Sequence, residues 1–268
     1  MGPVSLLVHE LGPRDGEPWV LVHGLGSTSL GWYPGVKRLR RECRLLVPEL
    51  AATGGTSAPF DGLTVTEAVP VIADLIERRL GGGPVSVGGI SLGGWVAVRL
   101  ALQRPELVGA LLLVAPAGYR NQDWIRVREL LAVERPADVE PLIGALFHRP
   151  RAAVRFGRRG FYRTYRSQAV RYVLDSTTGE ETFGPEALRR IRVPVGMIWG
   201  ERDGLFPPDV GRAMERYLER SRLTVIADCA HVVPWDCADA FCAALDRHRA
   251  WIGAERDKLE EPWRSPTT

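Results

Sequence analysis

Three residues far apart in the chain have the side-chain types that nucleophilic acyl chemistry needs. The first is Ser91, in "VSVGGISLGGWVA" (Val85–Ala97), with Gly88, Gly89, Gly93 and Gly94 around it. Its window, Gly89-Ile90-Ser91-Leu92-Gly93, fits G-x-S-x-G, between an apolar run and a helical pattern. A sharp strand–turn–helix forces such a serine into a strained conformation and presses backbone against backbone, where a Cβ would clash. The same turn lifts the hydroxyl out at the end of a sheet. It also leaves the Leu92 N–H free at a helix N-terminus, where developing negative charge is stabilised.

A serine of this kind needs a base and an acid that orients the base. The five histidines are His9, His23, His148, His231 and His248. His231 follows the last strand-like run, in "LTVIADCAHVVPWDCADAF", at a strand-to-helix loop. Asp203 follows another, in "VGMIWGERDGLFPP", in a loop shaped by Gly200, Gly204 and Pro207. The chain order Ser91, Asp203, His231 is the order that goes with a nucleophile on such a turn. A further stretch, "VLVHGLGSTSLGW" (Val20–Trp32), places a glycine-rich loop after a strand. There the Leu25 N–H can stand opposite that of Leu92 as a second oxyanion donor. His23 reads as a structural histidine that ties this loop down, since His231 fills the role of base.

These residues must be held by a sheet. Short runs rich in Val, Leu and Ile fall near Val4–Leu11, Trp19–His23, Arg44–Val47, Val85–Val87, Ala110–Ala115, Val195–Trp199 and Leu223–Ala227. Several are continuous, as in strands buried on both faces. Helical patterns at Thr66–Leu80, Leu92–Gln103, Pro208–Leu218 and Ala238–Trp251 separate them. Thr64 or Thr66 caps the first, and Pro105 stops the second. The alternation predicts an α/β fold with a mostly parallel central sheet of seven strands and helices on both faces. Residues 1–118 and 192–254 form the expected core. Residues 119–191 read as an inserted helical cap, and 255–268 as a polar, frayed tail.

The motifs resemble those of the α/β-hydrolase superfamily. The matching pieces are "HGLGS" for the oxyanion loop, "GISLGG" for the nucleophile elbow, "WGERDGLFP" for the acid loop and "AH" for the base. The resemblance covers about residues 4–118 and 185–252. It implies a serine esterase or lactonase type of enzyme. A serine nucleophile argues against the epoxide-hydrolase and dehalogenase branches, which carry Asp at the elbow. The chain departs from the pattern in "PELAATGGTS", where Glu49, Ala51, Ala52 and Thr53 replace the usual residues, and in Ala230, which stands where relatives carry Gly.

The remaining composition excludes more than it proposes. The chain of 268 residues is 45% hydrophobic and 25% charged, with a net charge of +3, which does not read as a nucleic-acid binder. No signal peptide and no membrane span are evident, and four cysteines make no disulfide framework, so a reduced cytoplasmic protein is expected. Cys229, His231, Cys237 and Cys242 match no common zinc spacing, and no dinucleotide or phosphate-loop motif occurs, so no metal or cofactor is implied. Residues 118–192 hold fifteen arginines against nine acidic residues. That face reads as a solvated surface, with a field for an anionic or carrier-bound substrate as the sharper alternative.

The expected reaction is cleavage of a carboxylic ester, lactone or thioester of a small-molecule substrate through an acyl-Ser91. Carbon–carbon hydrolysis and acyl transfer on the same triad are the alternatives, as is a cyclase or binding protein without covalent chemistry. Trp32, Trp95, Trp124, Phe147 and Tyr162 are candidates for the pocket wall. Nothing in the sequence bears on oligomeric state.

Overall fold

The computed structural model describes residues 5–50, 63–150, 152–177 and 181–260. Among these, seven strands form one sheet: β1 (Val8–Leu11), β2 (Glu17–Val22), β3 (Cys43–Pro48), β4 (Val85–Ile90), β5 (Val108–Val114), β6 (Val195–Gly200) and β7 (Ser221–Ile226). Their order across the sheet is β1-β3-β2-β4-β5-β6-β7. β1 runs antiparallel to β3, and every other neighbouring pair is parallel.

The buried strands explain the continuous apolar runs. Every residue of β4 and of β6 is buried, because helices cover both faces. Alternate residues of β2 point to opposite layers. Val20 and Val22 join the core under α2 (Val65–Leu80) and α3 (Leu92–Gln103), after the short α1 (Tyr33–Leu39). Trp19 and Leu21 join the other layer, which α1 covers together with the long C-terminal helix.

α2 begins with a reciprocal cap: the Thr64 hydroxyl accepts from Glu67 N–H, and the Glu67 carboxylate accepts from Thr64 N–H at 2.9 Å.

Between β5 and β6 the chain is helical. It forms α4 (Trp124–Leu131), α5 (Val139–Leu146), α6 (Ala152–Phe156), α7 (Arg158–Tyr165), α8 (Gln168–Ser176) and the short α9 (Pro185–Leu188). One isolated bridge, Tyr119 to Phe183, closes the base of this segment. α10 (Asp209–Glu215), α11 (Val233–Asp236) and α12 (Ala238–Glu260) complete the chain. No described helix is long and apolar enough to cross a membrane.

α12 corrects the expected start of the polar tail. It continues through residues 255–260, where Arg256 donates to Glu17 at 2.9 Å and Lys258 pairs with Glu255 at 2.5 Å. Charged pairs, not apolar periodicity, hold these turns, so hydrophobic patterning ends the helix too early. Residues 261–268 lie outside the described residues.

His248 on α12 is buried, with Nε2 3.0 Å from Thr224 Oγ1. Burial, followed by the nearby cations Arg222 and Arg247, lowers its pKa to about 4. The folded ring therefore stays neutral down to about pH 4, whereas an unfolded histidine takes up its proton near 6.5. Between those values the unfolded chain binds the extra proton. Stability should fall by about 3 kcal/mol as pH drops across this window. Urea denaturation at a series of pH values checks this, and His248→Gln should flatten the slope.

Candidate active site

Ser91 is the turn between β4 and α3. Its φ of 52° and ψ of −115° lie outside the ordinary regions for a side-chain-bearing residue. Three backbone bonds hold it there. Ser91 N–H donates to Val114 O at 2.9 Å, and Ser91 O accepts from Trp95 N–H at 3.1 Å and Ala117 N–H at 3.0 Å. The flanking glycines are required by contact. A Cβ on Gly89 would lie 2.3 Å from Gly93 O, and one on Gly93 would lie 2.2 Å from Val22 O. Because α3 starts at Leu92, the Leu92 N–H is a first-turn donor with no partner inside the helix.

Asp203 sits past the end of β6 and His231 past the end of β7, so both project from the same sheet edge as Ser91. Asp203 Oδ2 accepts from His231 Nδ1 at 2.8 Å. Its Oδ1 accepts from Leu205 N–H at 2.8 Å and Phe206 N–H at 2.9 Å. Both side chains are buried, with 0% of Asp203 and 4% of His231 exposed. A carboxylate facing Nδ1 keeps the proton of the neutral ring there and leaves Nε2 as the basic nitrogen. The Phe206 ring packs edge-on against the imidazole, 5.5 Å between centroids.

A second acid, missed in the sequence, anchors the loop that carries His231. Asp236 Oδ2 accepts from Ala230 N–H at 2.7 Å and from His148 N–H at 3.0 Å, joining the loop before His231 to the segment after α5. Val232 N–H donates to Leu146 O at 3.0 Å in the same seam. Only the fold of α11 back onto its own loop brings Asp236 to these amides, so no local motif marks it.

His23 is structural, and its bonds show why. Its Nε2 accepts from Leu50 N–H at 2.9 Å, which places the proton on Nδ1, donating to Gly24 O at 2.9 Å. Burial lowers its pKa. Glu49, read from sequence only as a departure, is buried and accepts from Ser29 N–H with both oxygens, at 3.0 and 3.1 Å. It thereby fastens the loop that carries Leu25. Ala51, Ala52 and Thr53 lie outside the described residues.

Ser91, His231, Leu25 and Leu92 all line one cavity of about 580 Å³. Of the aromatic candidates, Trp95, Trp124 and Phe147 also line it. Trp32 and Tyr162 do not. Trp32 is fully buried in the core, its Nε1 donating to Val22 O at 3.0 Å and its ring packed against Phe241. Tyr162 turns to the outer side of α7, where Arg166 donates to its hydroxyl at 2.6 Å. Phe161 and Tyr165, four residues apart on the inner side of that helix, line the cavity instead. Among the described residues, Arg128, Tyr165 and His231 are the titratable side chains in a wall that is otherwise mostly apolar.

The cysteine cluster separates in space. Cys229, Asp236 and Cys237 bring ligand-type atoms within 4.8 Å of one another, while His231 turns to Asp203 and the Cys242 thiol donates to Pro34 O at 3.6 Å. Burial raises both the Cys229 and Cys237 thiols.

A model of the alpha/beta hydrolase family matches residues 19–244. The chain is 31% identical over 229 residues to the pimeloyl-(acyl-carrier protein) methyl ester esterase of Neisseria meningitidis serogroup B, covering 74% of this chain and 83% of that protein. It is 26% identical over 258 residues to the 2-hydroxy-6-oxo-6-(2'-aminophenyl)hexa-2,4-dienoic acid hydrolase of Metapseudomonas resinovorans, covering 87% and 85%. A thermophilic esterase from Thermogutta terrifontis superposes with a TM-score of 0.77 at 22% identity, over 93% of this chain and 94% of that one, a likeness of fold.

The glycine contacts make a direct test of the elbow. Gly93→Ala would set a Cβ against immobile backbone of β2, so a loss of about 3 kcal/mol is expected. Gly144→Ala, in α5 with nothing within 4 Å of the new Cβ, should be neutral or slightly stabilising. Parallel denaturant titrations of the two variants check the contrast.

Proposed function

The chain belongs to the alpha/beta hydrolase family, and on that premise we propose that it is a serine hydrolase of carboxylic esters, lactones or thioesters. The observation that carries this reading is the buried Asp203–His231 pair, at 2.8 Å, whose His231 lines the same mostly apolar cavity as a strained Ser91. The named relatives, an ester esterase and an acid hydrolase, support hydrolysis as the reaction class.

In the proposed reaction, Ser91 Oγ attacks the carbonyl carbon while His231 Nε2 takes the hydroxyl proton. Asp203 holds the ring in its tautomer and stabilises the imidazolium. The Leu25 and Leu92 amides stabilise the oxyanion, a role worth about 3 kcal/mol of the barrier per donor. Collapse of the intermediate expels the alcohol or thiol, which takes its proton from His231, and leaves an acyl-Ser91. Water then attacks the acyl carbon, with His231 again accepting the proton. The acid is released and the serine restored.

In this proposal the core, residues 1–118 and 192–254, supplies the reacting groups. The cap, residues 119–191, supplies most of the apolar wall that receives the substrate. The exposed arginines of α7 lie away from that wall. Arg171 and Arg158 are engaged by Glu134 and Glu140, which fits a solvated face more closely than a substrate subsite.

The expected result with a fluorophosphonate probe is a single adduct on wild type and none on Ser91→Ala, read by intact mass. A folded wild type that takes up no adduct would overturn the covalent mechanism in favour of non-covalent binding or cyclisation. Asp203→Asn should keep its backbone contacts but lower kcat by about 10⁴-fold, because the ring loses the partner that sets its tautomer. Steady-state kinetics on an aryl ester measure this.

A further inference from the structure

The cap brings to the cavity one hydrogen-bond donor that no described protein group uses. Tyr165 ends α7, lines the cavity and is 5% exposed. Its ring stacks on Phe161 at 6.5 Å and 7°. Its hydroxyl end stands over the oxyanion loop. A Cβ on Gly26 would come 2.9 Å from Tyr165 Cζ and 3.2 Å from the hydroxyl oxygen. Gly26 has φ +67°, so glycine is required there both for the turn and for the ring above it. Two residues earlier in the loop, a Cβ on Gly24 would lie 3.3 Å from Ser91 Cβ. The phenol therefore stands over the same short loop that borders the nucleophile.

Most of the neighbouring cap donors are engaged. Tyr162 OH donates to Glu134 O at 3.4 Å, and Tyr172 OH donates to Glu67 at 2.8 Å. Thr177 Oγ1 donates to Val173 O at 2.6 Å, and Arg128 Nη1 donates to Leu174 O. Trp95 Nε1 donates to Glu181 O at 3.0 Å. Trp124 Nε1 is unpaired but sealed, with its ring packed between Trp95 and Phe206. The Tyr165 hydroxyl, by contrast, has no partner among the described residues, and its side chain borders open cavity. A donor that faces the cavity without a protein partner is free to bond a ligand that enters it. Burial also raises the pKa of this phenol, so it stays protonated and remains a donor.

We propose that Tyr165 is a specificity-determining residue that donates to an acceptor oxygen beside the scissile carbonyl, so that the enzyme selects oxygenated esters over plain alkyl esters of the same shape. The inference rests on the hydrolase reading above. Because the hydroxyl stands over Gly26, one residue past Leu25, the atom it reaches lies next to the reacting group. That oxygen can belong to the acyl part, as in an alkoxy, keto or hydroxy acid, or to the alcohol part, as in a glycol or glycerol ester. The wall near it includes the apolar side chains of Phe147, Phe161 and Val173.

Two isosteric ester pairs separate these sources. The acyl pair is p-nitrophenyl butanoate and p-nitrophenyl methoxyacetate. The alcohol pair is butyl and 2-methoxyethyl hexanoate. kcat and KM are measured for wild type and Tyr165→Phe on all four. The expected result is a loss of about tenfold in kcat/KM for the methoxy member of one pair in the variant, carried mainly by KM, with its alkyl partner unchanged. The pair that responds identifies the side on which the oxygen lies, and the unchanged alkyl rate reports an intact fold. An equal change in both members of both pairs would overturn the proposal and leave Tyr165 as a packing group or a third oxyanion donor. Wild type that hydrolyses none of the four would overturn the hydrolase reading, and this inference with it.

Discussion

Backbone is packed directly on backbone where β4 turns into α3, and the arrangement of the site depends on that contact. Gly93 lies against Val22 O and His23 O at the end of β2, and Gly94 against Pro116 beyond the end of β5. No side chain separates Gly93 from β2 and only the Pro116 ring meets Gly94, so the positions of three strand ends are fixed by van der Waals contact. The loop that carries Leu25 leaves β2 at the point that Gly93 touches. Ser91 stands one turn of chain away, with φ held positive by the bonds to Val114, Trp95 and Ala117. The distance between the serine and the Leu25 loop is therefore set by the thickness of two backbones. Flexible side chains have little part in it.

Around that rigid point, three acids, Asp203 and Glu49 buried and Asp236 half-buried, hold the loops in place. Asp203 accepts two amides of its own turn and the His231 ring. Asp236 accepts one amide from the base loop and one from the cap. Glu49 accepts Ser29 N–H with both oxygens and lies 3.5 Å from His23. A buried carboxylate is stable only when its lone pairs are met by donors, so each one constrains the donors as strongly as the donors constrain it. The sheet edge thus obtains loop geometry from charge-assisted hydrogen bonds, while the sheet interior obtains its geometry from apolar packing. Asp236 has the widest reach, since it couples the base loop to the segment after α5 that lines the cavity.

The parts of this arrangement that were legible in the sequence share a physical property: each is set by local chain geometry. The glycines around Ser91 announce a crowded turn. Continuous apolar runs announce strands covered on both sides, and the reciprocal Thr64–Glu67 cap announces the start of α2. Asp203 and His231 could be placed because each follows a strand that must end at the same edge. Contacts made across the fold left no such mark. Asp236 and Glu49 look like ordinary surface acids in their own segments. Trp32 looks like a wall residue because it follows the oxyanion loop, yet its indole bonds back to Val22 and fills the core. In α7 the error was one of helical phase. Phe161 and Tyr165 share one side and Tyr162 the other, and the arginines on both sides hide the apolar stripe.

The cap's inner and outer sides follow from the same helices but meet different solvents. Outside, arginine charges are screened by water and paired with Glu134 and Glu140, so each contributes little. Inside, the wall is aromatic and aliphatic, and a single dipole acts with less screening. In such a medium the Leu25 and Leu92 amides and the Tyr165 hydroxyl are strong because they are few and already oriented by backbone and ring packing. An apolar lining thus does more than admit an apolar substrate. It raises the cost of any polar group that enters without a partner, so specificity falls to the small number of donors left open. That reasoning connects the crowded glycines, which permit the close approach of loop and cap, to the proposed selection of substrate by one phenol.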